Sequence, residues 1–232
     1  MSVRFFDHVA FFVTFEQTDP FYVVTFPDPA TPMIQGELKI SGFSRYLHSM
    51  NEMNTLLIGI GQEANDDGRN LGLKIDLYNA TVPTEPSLID RYFEPDQWSS
   101  SGAEWDEKSL RYVPFDDQNG LLVIPVSKQT TSVDAITGTT EFGWFSGFSV
   151  FTVSYTEGIE WLRDISHVGD DENLCFYCEG YAQDRTFVID GKLISIHGKS
   201  ARSHDLADKL APAVWGFDFA WSDPITDTCC GW

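Results

Sequence analysis

Glu63, Asn65 and Asp67 alternate along the chain and run into Gly68. Oxygens spaced in this way can wrap a hard cation, while a glycine permits the sharp turn between them, so the stretch suits calcium. The later loop positions fall on Leu71 and Lys74, so an EF-hand is excluded and a solvated acidic turn is the competing reading. Four cysteines gather in the last third: Cys175 and Cys178 as a C-x-x-C pair, Cys229 and Cys230 side by side. The pair alone is compatible with half a zinc site, a redox couple or a disulfide, and adjacent thiolates chelate a tetrahedral ion awkwardly. If the chain is exported, disulfides joining the tail to Cys175 or Cys178 are the favoured reading.

Other chemistry is weaker. Gly59-Ile-Gly61-Gln-Glu-Ala64 mimics a dinucleotide fingerprint, but a turn follows where the helix is required. The five histidines form no H-E-x-x-H, and no G-x-S-x-G elbow occurs. Arg45, Arg69, Arg111, Arg163 and Arg185 are candidates to converge on a site or, alternatively, to pair with the abundant carboxylates. Asn79-Ala-Thr81 is a glycosylation sequon, meaningful only on export by a eukaryotic host. Trp144 and Phe145, with Phe142 and Phe148 nearby, have the composition of a carbohydrate or peptide contact, though packing between blades is the favoured reading.

The elements that must position these residues are strands. Short runs rich in Val, Ile, Phe, Tyr and Thr recur at 3–6, 8–15, 21–26, 56–60, 71–77, 121–126, 148–155 and 192–197, each bounded by Gly, Pro, Asn or Asp. Tight turns are expected at 6–8, 66–68, 116–120 and 189–191. A helical period is weak everywhere, the best stretch being 204–213 after Ser203. A strand, turn, strand pattern recurs at 21–40, 73–92 and 150–165, each copy preceded by a hairpin with a very apolar central strand. The polar segment 127–140 reads as an exposed loop inserted in the third copy.

Four-stranded antiparallel units in series are blades of a β-propeller. The chain is therefore expected to be all-β, an incomplete propeller of about three four-stranded blades and part of a fourth. The blades are expected at about 1–40, 43–93, 108–166 and 181–206 of a domain over 1–206, with an aromatic and cysteine-containing tail at 207–232.

At 232 residues the chain is long enough for a sizeable core. Thirty-five acidic against fifteen basic residues give a formal charge of −20. Such a charge repels phosphate backbones and anionic lipid heads, which disfavours nucleic acid and membrane surfaces as partners. No apolar run reaches the length of a spanning helix, and no secretory signal is visible at the amino terminus.

Phe21 to Lys39, the run Ser41-Gly-Phe-Ser-Arg-Tyr-Leu-His48, Leu57-Ile-Gly-Ile-Gly61 with Asp67-Gly-Arg and Leu71-Gly-Leu-Lys74 resemble the secreted β-propeller domain family of bacteria and archaea. Leu121 to Val126 and the hairpin 185–200 fit it as well. The resemblance implies an extracellular or cell-envelope location, a chain corresponding to the carboxy-terminal half of the family domain, and no catalytic residues. The functional reading is then a non-enzymatic extracellular binding or scaffold module, its partner a protein or a carbohydrate. It is completed either by further amino-terminal blades or by a second copy. The alternatives are a propeller hydrolase or lyase acting on a polymer, and a truncated fragment without a role of its own.

Overall fold

The computed structural model describes residues 2–14, 19–65, 67–134, 137–167, 184–197, 200–208 and 213–218. Its elements are strands, apart from two single 3-10 turns at Gly102–Glu104 and Glu107–Ser109. The first sheet holds β1 (Ser2–Phe6), β2 (Val9–Val13), β3 (Asp19–Thr25) and β4 (Met33–Ile40). The second holds β5 (Phe43–Ser49), β6 (Leu56–Ala64), β7 (Asn70–Asn79) and β8 (Ser87–Phe93). The third holds β9 (Arg111–Pro114), β10 (Asn119–Val133), β11 (Thr140–Ser154) and β12 (Gly158–Ser166). The fourth holds β13 (Arg185–Ile189), β14 (Lys192–His197), β15 (Ser200–Asp205) and β16 (Trp215–Asp218). Within each sheet the strands lie in chain order and every pairing is antiparallel.

The expected turns supply the reversals. Asp7 takes a left-handed conformation between Phe6 and Val9, and Asp190-Gly191, at φ 47 and 71, joins β13 to β14 as a two-residue hairpin.

The apolar runs of β6 and β10 are continuous because these strands are buried on both faces. Leu56, Ile58 and Ile60 enter one core with Leu122, Ile124 and Val126, between the second and third sheets. Leu57 enters another with Phe11, Phe21 and Tyr78, between the first and second. Leu121 and Val123 enter a third with Phe148, Ile165 and Leu193, between the third and fourth. Sheets stacked so that each interior face meets a neighbour are what residues of period two on both faces require.

The first strands of successive sheets lie side by side. Arg4 Nε of β1 donates to the Leu47 carbonyl of β5 at 2.9 Å. His48 of β5 meets the Tyr112 ring of β9 at 5.6 Å. Arg111 of β9 donates to the Thr186 carbonyl of β13 through Nε and a terminal nitrogen, at 3.2 and 3.0 Å. Sheets related in this way radiate from a shared line, the arrangement of propeller blades. Because strands alternate in direction, the second-to-third-strand turns and the sheet-to-sheet connections fall on one rim, called here the connection rim.

Three expectations change. The segment 127–140 is not a loop: β10 and β11 run 15 residues each and stay in register from Ser127↔Ser146 to Val133↔Thr140. Its threonines and Val133 favour extended backbone, and Gln129 to Val133 are exposed because that part of the ribbon projects from the sheet with both faces wet. No helix begins at His204: His204 pairs with Leu193 inside β15, since Arg202 and His204 alternate with Ser203 in the period of a strand. The fourth sheet also has four strands, the last of them, β16, lying in the segment assigned from sequence to the tail. Cys175, Cys178, Cys229 and Cys230 lie outside the described residues.

Candidate functional site

Three groups of polar side chains stand out from this framework, two of them on the connection rim. The first is a cleft of about 530 Å³ between the second and third sheets, lined by Arg69, Asn70, Asp96, Gln97, Trp98 and Gln129 among others. The β6–β7 turn forms one wall. Asn65 folds it, its Oδ1 accepting the Arg69 amide at 2.8 Å, and Arg69 then donates to Gln97 Oε1 at 3.0 Å. The segment after β8 forms the floor, held by the Asp96 carboxylate. One Asp96 oxygen accepts the Trp98 amide at 3.0 Å, the other the Gln129 amide at the start of the projecting ribbon at 2.6 Å. Gly72, at φ +139, lies against the carbonyls of Glu94 and Asp96, where a Cβ would overlap the Glu94 oxygen. Any side chain there would displace the floor.

Behind the cleft Lys128 bridges Glu94 at 3.1 Å and Asp164 at 3.0 Å. Burial, and then Glu94 beside it, raises the Tyr92 hydroxyl well above its ordinary pKa. Over this fixed polar bed Trp98 is 65% exposed. An open indole beside planar amides, a carboxylate and a guanidinium can stack on one face of a ligand and exchange hydrogen bonds with its edge.

The second group joins the third and fourth sheets. His197 shares a hydrogen bond with Asp184 through Nδ1 at 2.6 Å and one with Ser146 through Nε2 at 3.2 Å. His167 bonds Ser200 at 2.6 Å and Ser195 at 2.8 Å, with its ring 5.7 Å from that of His197. Burial, and then the neighbouring His197, pushes the His167 pKa down to about 3, so its ring is neutral and can accept as well as donate. This clasp satisfies the buried Ser195 and Ser200 of the fourth sheet and ties Ser146 of the third to it. Its Ser–His–Asp portion also has the connectivity of an activated hydroxyl.

The third group is buried between the first and second sheets. Lys74 and Asp76 are both fully buried and pair at 2.8 Å. Arg91 donates through Nε to Asp76 at 2.5 Å and pairs with Glu63, and Tyr78 donates to Asp76 at 2.8 Å. Desolvation lowers the Lys74 pKa against the pull of Asp76, and raises that of Tyr78.

The residues singled out from sequence disperse across these groups. Glu63 carries the Arg91 pair and accepts the Ala64 amide, Asn65 builds the turn, and Asp67 is exposed. Among the described residues, no group of three or more His, Cys, Asp or Glu is placed to hold a metal ion. Trp144 and Phe145 point to opposite faces of β11, as adjacent strand residues must. Trp144 Nε1 donates to Ser127 Oγ at 2.9 Å, whereas Phe145 packs on the core between the second and third sheets, with Lys128 over its ring at 5.6 Å. Asn79 caps the turn after β7, its Oδ1 accepting the Thr81 amide at 2.9 Å. β5 packs on Gly59 and Gly61 so closely that a Cβ on Gly59 would sit 2.6 Å from Ser44 Oγ, and one on Gly61 would strike the Phe43 carbonyl.

Four of the five arginines take separate partners, and the fifth, Arg163, lies with Leu193, His204 and Asp205 at the seam of the third and fourth sheets. Arg45 pairs with Glu104 at 3.2 Å under the Trp105 ring, Arg185 with Asp106 at 2.8 Å, Arg69 with Gln97 and Arg111 with a carbonyl. What sequence reasoning missed is the Asp96-Gln97-Trp98 segment. Its signal was a tryptophan set among turn formers after an aromatic strand, outside any apolar pattern. The His–Ser clasp carried no local signal, because its members come together only when two sheets stack.

A protein of Methanocaldococcus jannaschii described as uncharacterized is 40% identical over 112 residues, 46% of this chain and 17% of that protein. Another, from Archaeoglobus fulgidus, is 38% identical over 127 residues, 55% of this chain and 18% of the relative. The aligned segments thus span less than a fifth of these relatives. Among solved structures, a protein from Lactobacillus plantarum aligns at 12% identity with a TM-score of 0.28, over 91% of this chain and 68% of that one, too remote to bear on function. The family model described as a beta propeller domain matches residues 1–209, a span that takes in every strand from β1 to β15. On that match and the radiating four-stranded sheets, the chain belongs to the beta propeller domain family.

Proposed function

We propose that the chain is a binding module that takes a hydroxyl-rich ligand, a carbohydrate chain, in the cleft on its connection rim. The observation that carries this reading is Trp98, 65% exposed above a bed of fixed polar groups. A sugar ring presents an apolar face of C–H groups and an edge of hydroxyls, and the cleft offers an indole plane for the one and Asn70, Gln97 and Arg69 for the other. The formal charge of −20 favours an uncharged ligand over a polyanion. An extracellular or cell-surface location, implied by the family resemblance, belongs to the same proposal. Among the described residues no helix is long and apolar enough to cross a membrane.

Affinity electrophoresis against a panel of neutral polysaccharides, followed by calorimetry on any that retards the chain, tests the reading. Trp98→Ala should weaken binding at least about tenfold, since aromatic anchors dominate such sites. Trp105→Ala should leave it unchanged, because Trp105 is similarly exposed but covers Arg45 outside the cleft. Equal losses from both, or none from either, overturn the proposal.

A hydrolytic reading has one observation behind it, the Ser146–His197–Asp184 relay. A fluorophosphonate probe separates the two: covalent labelling lost in Ser146→Ala supports hydrolysis, and an unlabelled chain supports the clasp.

A further inference from the structure

Beyond the cleft, the seam between the second and third sheets carries another open indole. Trp161 of β12 is 46% exposed, and it pairs across the ladder with Phe151, which enters the core between these two sheets. Residues paired in this way share a face, so Trp161 lies on the side of the third sheet that looks toward the second. Hydrogen bonds lead to it from the cleft wall. Glu94 lines the cleft, and its Oε2 accepts from Lys128 Nζ and from the Tyr92 hydroxyl, both at 3.1 Å. The same Nζ meets Asp164 Oδ2 at 3.0 Å, while Asp164 Oδ1 accepts from Trp161 Nε1 at 3.0 Å and from Ser149 Oγ at 2.6 Å. The indole is thus held by its edge. Lys128 stands between two rings, its Nζ 5.6 Å from the centroid of Phe145 and 6.0 Å from that of Trp161.

We propose that Trp161 is a second subsite for the carbohydrate bound at Trp98, so that a sugar polymer crosses the Glu94–Lys128–Asp164 bridge and stacks on an indole at either side of it. This second contact presupposes the carbohydrate reading of the cleft and extends it from one platform to two. A single exposed tryptophan on an outer strand needs no explanation. What sets Trp161 apart is its anchoring: the bond to Asp164 fixes the indole plane in advance, which reduces the ordering that binding costs. The bridge between the two indoles belongs to the same surface, and its carboxylate oxygens have lone pairs for the hydroxyls of the sugar units that cross it. Two platforms on one polymer act together. Once the first is engaged, the second meets its sugar unit at a high local concentration, so affinity grows with chain length until both are covered.

The test is calorimetry of the full chain with cello-, laminari-, malto- and manno-oligosaccharides, each series from the disaccharide upward. In a series that binds, affinity should rise with length and then level off. Trp161→Ala should leave the shortest member that binds unaffected and weaken the longest at least about tenfold, which abolishes the dependence on length. Trp161→Phe, which keeps an aromatic face and loses the bond to Asp164, should fall between the two. Trp98→Ala should weaken every length. Thermal melts confirm that each variant is folded, and Trp161→Gln, which removes the ring and keeps a donor for Asp164, replaces Trp161→Ala if that variant is not. Long oligosaccharides held equally by wild type and Trp161→Ala, but weakened by Trp98→Ala, overturn the second subsite and leave the cleft reading standing. Equal losses at every length in Trp161→Ala also overturn it, since both indoles would then serve one position. A chain that binds no member of the four series overturns the subsite and the cleft reading together.

Discussion

Strand β7 has two interiors, one on each face, and they are built on opposite principles. Leu73, Ile75 and Leu77 enter a dry core with Leu122, Ile124 and Phe151 of the third sheet. One residue out of phase, Lys74 and Asp76 are buried just as completely toward the first sheet, followed by Tyr78, with Arg91, Glu63 and Ser41 around them. The apolar face contributes roughly 25 cal/mol for each Å² removed from water and accepts any filling of the right shape. The charged face spends most of its Coulombic gain on desolvation, and its net contribution to stability is small. What it adds is register: Lys74 donates to the Ser41 carbonyl at 2.6 Å and pairs with Asp76, and no slipped pairing satisfies both. Stability and alignment are thus divided between two faces of ten residues.

The sharpest way to break that comparison is to take one side chain from each face. Asp76→Ala removes the common acceptor and leaves Lys74 and Arg91 buried without it, which should cost about 4 kcal/mol, as breaking buried ion pairs does. Leu77→Ala leaves a cavity in a packed core and should cost about 3 kcal/mol. Denaturant melts of both variants check the order. A loss at Asp76→Ala smaller than about 1 kcal/mol would mean that water already reaches the charged face.

A seam closed by histidines behaves differently again, because its partners titrate. Burial holds His167 down to about 3 and, with Arg4 and Arg111 nearby, His48 down to about 4, whereas both are near 6.5 in the unfolded chain. The unfolded chain therefore takes up protons first. The contribution of the neutral rings is fully present above about pH 6.5 and is lost as the pH falls toward the folded values, by roughly 3 kcal/mol for His167 at pH 4. Urea midpoints between pH 7.5 and 4 should fall steeply below 6.5, and His167→Gln, neutral throughout, should flatten part of that slope. A wild-type midpoint that holds constant to pH 4.5 would sink the assignment.

Much of this architecture was legible because strands buried on two faces write unbroken apolar runs, and Leu56 to Ile60 and Leu121 to Val126 could be read as blade interiors. The turns at Asp7 and at Asp190-Gly191 declared themselves by residue type. The projecting ribbon did not: Ser127 to Val133 is polar, and polarity signals exposure without distinguishing a loop from a hydrogen-bonded ladder. Nor did β15, whose Ser200-Ala-Arg-Ser-His204 carries no β-branched residue and takes its extended form from pairing with β14. The cleft was missed for a related reason. Asp96 and Gln129 meet only because the second and third sheets stack, and a contact 33 residues apart leaves no local trace.

The smallest expected effect refines the charged face itself. Tyr78→Phe keeps the ring stacked on Phe21, with centroids 4.6 Å apart and planes 9° off parallel, and deletes only the hydroxyl that donates to Asp76 and meets Ser44 at 3.1 Å. Asp76 retains Lys74 and Arg91, so the loss should be about 1 kcal/mol, the ordinary net value of one hydrogen bond. Because Phe raises no desolvation penalty of its own, any excess over that value measures how far the hydroxyl stiffens the ion pairs around it. A double-mutant cycle of Tyr78→Phe with Ser44→Ala measures the coupling between the two hydroxyls. Coupling below about 0.5 kcal/mol would make the hydroxyl a spectator beside a ring that packs, whereas coupling near the full single-mutant loss would make Ser44, Tyr78 and Asp76 one cooperative unit aligning β5 with β7.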